Sequence, residues 1–172
     1  MNNLILCGFK GCGKTTLGKE LAKKIGYGFI DTDSLIAEDC KSFYKEVGES
    51  AFRLAEKKAI ASLHDVSSCV IATGGGAILD PESRAIFKKI GRIIYLKEEK
   101  ETIKARLLKK PCPAFFPGKD IEREFEEMYA HRVSIYEGLW EAIHLELSCK
   151  SPHGENLMER LWALLSTDVL QG

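Results

Sequence analysis

The chain has no paired-cysteine signature, no long apolar run and no excess of either charge. Its six cysteines (Cys7, Cys12, Cys40, Cys69, Cys112 and Cys149) include no C-x-x-C, and four histidines lie scattered among them. Zinc sites need closer, paired ligands, so these read as free thiols of a reducing compartment. No run approaches the roughly 18 apolar residues of a membrane span, and no basic segment with an apolar leader precedes the first strand. The expectation is a cytoplasmic protein without a membrane partner. Basic and acidic residues number 25 each. That balance leaves no global field to draw in nucleic acid, so an anion must be held by locally placed cations. At 172 residues the chain suits one domain, 1–172, able to bury a full core, and no repeat or linker divides it.

What is present is a glycine-rich stretch, Gly8-Phe9-Lys10-Gly11-Cys12-Gly13-Lys14-Thr15, which fits G-x-x-x-x-G-K-[ST]. It follows the apolar run Leu4-Ile5-Leu6-Cys7 and precedes a helix-like segment from Thr16 to Ile25. In that context the glycines let backbone N–H groups turn inward, and the helix N-terminus adds partial positive charge. The loop therefore reads as a triphosphate cradle: Lys14 reaches the terminal phosphates and the Thr15 hydroxyl ligates Mg²⁺. Cys12 lies among these N–H groups near Lys14, surroundings that lower a thiol pKa. The plainer reading of Cys12 is a small residue that fits a tight loop.

The rest alternates between strand-like and helix-like segments. Strands are expected at Asn3–Cys7, Gly28–Asp31, Cys69–Ala72, Arg92–Leu96 and Ile143–Leu147. Helices are expected at Lys14–Ile25, Ser34–Cys40, Glu49–Leu63, Pro81–Lys89, Glu99–Leu108, Ile121–Trp140 and Glu155–Leu165. This pattern predicts a three-layer α/β/α fold around a five-stranded parallel sheet. Sites in such sheets lie beyond the carboxyl ends of the strands. There the first three strands would bring the phosphate loop, Asp31-Thr32-Asp33 and Thr73-Gly74-Gly75-Gly76 to one rim. The stretch Lys109-Lys110-Pro111-Cys112-Pro113-Ala114-Phe115-Phe116-Pro117-Gly118 holds three prolines and a glycine, which forbid regular structure. Around 109–119 a lid is expected, the alternative being an ordinary surface excursion.

Asp31 and Asp33, two apart on an extended backbone, point to one side. Asp31 suits a metal held through water, and Asp33 suits a base that takes a hydroxyl proton as it attacks the γ-phosphate. Asp33 is also placed to N-cap a helix from Ser34. In Glu49–Leu63 an apolar stripe of Phe52, Ala55, Ala59, Ile60 and Leu63 leaves Arg53 at its edge. In Ile121–Trp140 the residues Phe125, Met128, Tyr129, Arg132, Tyr136 and Leu139 share one face, which puts Arg132 inside the apolar seam. A buried guanidinium needs a carboxylate partner, from the protein or from a ligand.

Taken together these residues resemble the shikimate kinase family, of the P-loop nucleoside-monophosphate-kinase-like type, over nearly the whole chain. The similarity rests on Gly8–Thr15 with Thr16, on Asp31-Thr32-Asp33 and on Gly48-Glu49-Ser50-Ala51-Phe52-Arg53. It extends to Gly74-Gly75-Gly76 and to Arg132-Val133-Ser134-Ile135-Tyr136. The resemblance implies ATP- and Mg²⁺-dependent phosphorylation of the C3 hydroxyl of shikimate, a step of aromatic amino acid biosynthesis, by a monomer. It implies catalytic roles for Lys14 and Asp33, and a metal held by Thr15 and Asp31. Shikimate would meet Asp33, Arg53, Gly75, Gly76 and Arg132, the two arginines clamping its carboxylate. ATP would meet Gly11, Cys12, Gly13, Lys14, Thr15 and Thr16, with Arg106 on the adenine, Lys110 in the lid and Pro152 on the other adenine face.

The chain departs from the family where Lys110-Pro111 replaces the usual arginine and proline of an R-P-L-L element, a point charge in place of a fork. Lys10 is also unusual within the phosphate loop and is expected to offset the lost lid charge. The nearest rival is gluconate kinase or another small-molecule kinase of this fold. Nucleoside-monophosphate kinases fit less well, because no signature for a second base pocket is present. A nucleotide-dependent switch or silent binding module would expect a broken Lys14, Thr15 or Asp33, and all three are intact.

Overall fold

The computed structural model describes residues 3–108, 120–139, 142–146, 159–161, 163 and 165. Five apolar runs pair in parallel as β1 (Asn3–Cys7), β2 (Gly28–Asp31), β3 (Cys69–Ala72), β4 (Gly91–Lys97) and β5 (Ile143–Glu146), in the spatial order β2-β3-β1-β4-β5. Alternation along the strands divides the core in two. Ile5 and Cys7 of β1 and Ile93 and Tyr95 of β4 face one layer, while Leu6, Ile94 and Leu96 face the other. Each fully buried side chain of this size contributes roughly 1.5–3 kcal/mol. Buried Asn3 pins the lower edge: its amide donates to Val66 O (2.7 Å) and Ile90 O (2.9 Å), and its oxygen accepts from Cys69 N (3.0 Å).

The second layer is covered by α1 (Lys14–Ile25), through Leu17 and Leu21, and by the helical residues 159–161, through Leu161. The first is covered by α2 (Cys40–Ala61), α3 (Pro81–Ile90), α4 (Lys100–Leu108) and α5 (Ile121–Glu137), through Ile60, Phe87, Ile103 and Phe125. Among the described residues no helix is long and apolar enough to cross a membrane.

The region after β2 differs from the expected helix at Ser34–Cys40. A 3-10 turn spans Thr32–Leu35, and its cap is Asp31, which accepts from Asp33 N at 3.1 Å, so Asp33 is not the capping residue. The helix begins only at Cys40, where Asp39 accepts from Lys41 N, Ser42 N and the Ser42 hydroxyl. It then breaks at Gly48 (φ 77°, ψ 173°), a conformation open essentially to glycine, and resumes at Glu49. The expected boundary at Glu49 thus coincides with the break, and the half from Cys40 to Val47 is an addition. Likewise α5 ends at Glu137, where Gly138 N donates to Ser134 O, short of the expected Trp140.

Candidate active site

The phosphate loop leaves β1 and enters α1 through Gly13, which has φ 100° and offers no side-chain cap. The first-turn N–H groups of α1 are therefore left for an anion. Lys14, 8% exposed, curls back so that its ammonium donates to Gly8 O and Phe9 O, both at 2.9 Å. The Cys12 thiol lies 3.9 Å from the Lys14 ammonium, as expected, but faces the core and not the cradle. It is 1% exposed, packs in the core with Leu6 and Leu17, and its N–H donates to Phe9 O at 3.2 Å. The plainer reading of Cys12 describes its side chain.

The Thr15 hydroxyl donates to Asp31 Oδ2 at 2.8 Å, so the loop and the end of β2 present two oxygen donors side by side. Burial, and then the neighbouring Asp31, push the Asp33 carboxyl above its ordinary pKa, against the pull of Lys10, Lys14 and Arg53. Thr32, fully buried, accepts from Gly74 N at 2.8 Å and ties the ends of β2 and β3 together. Thr73, at the end of β3, is 2% exposed, and its hydroxyl has no hydrogen-bond partner among the described residues.

From α2, Arg53 pairs with Glu56 at 2.8 Å. Burial pushes the Glu56 carboxyl up, with the guanidinium opposing it. From α5, Arg132 is 9% exposed and its guanidinium lies 5.6 Å over the Phe9 ring. The three glycines after β3 explain how these groups approach. A Cβ on Gly74 would fall 2.5 Å from Asp33 Oδ1 and one on Gly75 3.2 Å from Lys10 N, while one on Gly76 would strike the Arg53 guanidinium. Each glycine makes room for a different side of one pocket. Tyr136, one turn after Arg132, donates to Gly75 O (2.5 Å), and its hydroxyl also lies 3.2 Å from Gly8 O.

These groups line a cavity of about 420 Å³. Gly11, Gly13, Lys14, Thr15, Thr16, Asp31, Asp33, Arg53, Gly75, Gly76 and Arg132 all border it. Arg106 sits apart, on the outer side of the loop, donating to Gly11 O at 3.0 Å and pairing with Glu98 at 2.9 Å. There it borders a shallower opening with Gly13, Thr16 and Glu20. Lys110, Pro152 and the expected lid at 109–119 lie outside the described residues.

Sequence reasoning missed Glu56, Cys40 and Tyr44, all on the cavity wall, and placed Thr73 and Thr32 at the rim without giving either a role. Glu56 had a signal, its i+3 spacing from Arg53 on a helix. Cys40, whose thiol lies 3.0 Å from Asp33 O, had none.

The shikimate kinase family pattern matches residues 10–163. The chain is 42% identical over 142 residues to a shikimate kinase of Clostridium botulinum, covering 80% of this chain and 84% of that one. It is 38% identical over 141 residues to shikimate kinase 2 of Yersinia pseudotuberculosis, covering 78% and 80%. In structure it resembles the shikimate kinase from Acinetobacter baumannii solved in complex with shikimate, with a TM-score of 0.80 and 25% identity over 98% of this chain and 94% of that one. Agreement of this extent, in sequence and in fold together, settles the kinship: the chain belongs to the shikimate kinase family.

Proposed function

We propose that this kinase transfers the γ-phosphoryl group of ATP to the C3 hydroxyl of shikimate. The observation that carries the reading is the single cavity on which Lys14, Asp33 and the two arginines, Arg53 and Arg132, converge. Shikimate is a cyclic hydroxy acid, and two guanidinium groups suit its carboxylate as a forked clamp. Glu56 holds Arg53 by its Nη1, which aims the guanidinium and balances its charge before substrate arrives. Asp33, across the cavity floor beside Gly74, orients the ring hydroxyls. It accepts the C3 hydroxyl proton while that oxygen bonds to phosphorus and the bond to the ADP oxygen breaks. A carboxyl pKa raised by burial strengthens Asp33 as a base.

On the donor side, Lys14 leaves the carbonyls of Gly8 and Phe9 for the terminal phosphates, which the N–H groups of Gly11, Gly13, Thr15 and Thr16 cradle. Arg106 at the outer opening, with Lys110 and Pro152, would serve the adenine and lid contacts. The Thr15 and Asp31 oxygens, with the unpaired Thr73 hydroxyl near by, form a hard-oxygen donor set that fits a hydrated Mg²⁺. When bound there, Mg²⁺ would neutralise charge on the phosphate oxygens. The rest of catalysis is in-line positioning by the chain's own groups.

The test offers ATP-Mg²⁺ with shikimate, gluconate and nucleoside monophosphates in parallel coupled assays. Turnover of shikimate alone is expected. Turnover of another acceptor with none of shikimate overturns the reading.

A further inference from the structure

The phosphate loop carries two lysines, and the family chemistry accounts for one. Phe9 turns into the core, 2% exposed, with its ring 6.0 Å from Phe125 and 5.4 Å from Tyr129. The next residue, Lys10, is exposed and borders the cavity. Its backbone N and Cβ lie 3.2 and 3.4 Å from where a Gly75 side chain would start, so the bare glycine lets the Lys10 backbone approach the turn after β3 closely. Foremost among the charges that act on its ammonium are, in order of influence, Asp33, Lys14 and Arg132, ahead of Cys40. They are the base, the phosphate lysine and the carboxylate clamp of the reading above. Although solvent reaches Lys10, burial lowers its pKa, and a partly desolvated ammonium acts strongly on nearby charge.

We propose that Lys10 is a fourth cation of the transfer site, beside Lys14, Arg53 and Arg132, which pairs with Asp33 before the reaction and contacts the phosphoryl group as it passes to the acceptor. This differs from a cation that repairs the altered lid, because Lys10 borders the acceptor cavity and not the outer opening where Arg106 sits. Around Asp33 the other charged or titratable groups are Asp31 at the end of β2, Lys14 from the loop, and Arg53, Glu56 and Cys40 from α2. Of the cations among them, Lys10 opposes the rise of the Asp33 pKa most strongly.

The experiment compares the wild type with Lys10→Met, which keeps the unbranched stem, and Lys10→Arg, which keeps the charge. Lys10→Met is expected to lower kcat by about tenfold or more, as for loss of a donor to transition-state charge. KM for both substrates should stay within about threefold, since ground-state contacts remain. Lys10→Arg is expected to restore most of kcat. An unchanged kcat in Lys10→Met overturns the proposal, and so does a loss confined to KM for shikimate. The inference rests on the kinase reading but not on the identity of the acceptor. Were another hydroxy acid the substrate, the same loss of kcat is expected with it, and failure of one reading is separable from failure of the other.

Discussion

Arg132 sits on an apolar helix face at 9% exposure, stacked over Phe9, and burial disfavours its charge. A protein keeps such a group when something anionic will meet it, because breaking a buried charge pair costs far more than a surface one. We expect Arg132→Lys to weaken shikimate binding by roughly 2 kcal/mol or more, measured as Kd by titration calorimetry. Equal affinity in that variant would remove Arg132 from the clamp. The position was legible because a cation interrupting a regular apolar stripe is anomalous. Arg53 was legible only as a residue at a stripe's edge. Glu56 offered only its i+3 spacing from Arg53: a glutamate on a charged helix otherwise looks solvated until the turn after β3 closes over it. Cys12 was legible in its plainer reading, a small residue that fits a tight loop, although a loop residue's neighbours along the chain do not by themselves say which way its side chain turns.

The same contrast holds for α2. Its second half was legible from the period of Phe52, Ala59 and Ile60, all now buried. Its first half was not, because the cap at Asp39 and the break at Gly48 are local hydrogen-bond and dihedral events that leave little trace in apolar spacing. Gly48 matters beyond its own position, since the change of direction there aims the turn that carries Arg53. Gly48→Ala is expected to cost about 1–3 kcal/mol, the usual strain of a side chain in that conformation, read from urea unfolding. It should also raise KM for shikimate while leaving KM for ATP near the wild-type value. An unchanged unfolding midpoint would show that the break accepts a side chain.

In the molecule as a whole, the order β2-β3-β1-β4-β5 brings the ends of three strands to one rim. The alternation of strands and helices made that legible before any coordinate. The rim works against stability. Asp33 is held beside Asp31 with its pKa raised, so the folded state binds its proton more tightly than the unfolded chain does. Stability from this group is full below the ordinary carboxylate pKa and is lost as pH rises through the raised value. Asp33→Asn escapes that loss. We expect it to melt above the wild type at neutral pH, by a few degrees, with the gap closing as pH falls through the raised carboxyl pKa, and to be nearly inactive. A variant that melts lower at neutral pH would mean that Asp33 gains more from Lys10, Lys14 and Arg53 than it loses to burial.

In the proposed reading one helix serves both halves of the reaction: Arg132 meets the acceptor, and Tyr136, a turn later, binds the Gly75 carbonyl beside that of Gly8. On that reading, the span across which phosphorus must travel is gauged by a single rod of helix, which ties one substrate's berth to the other's.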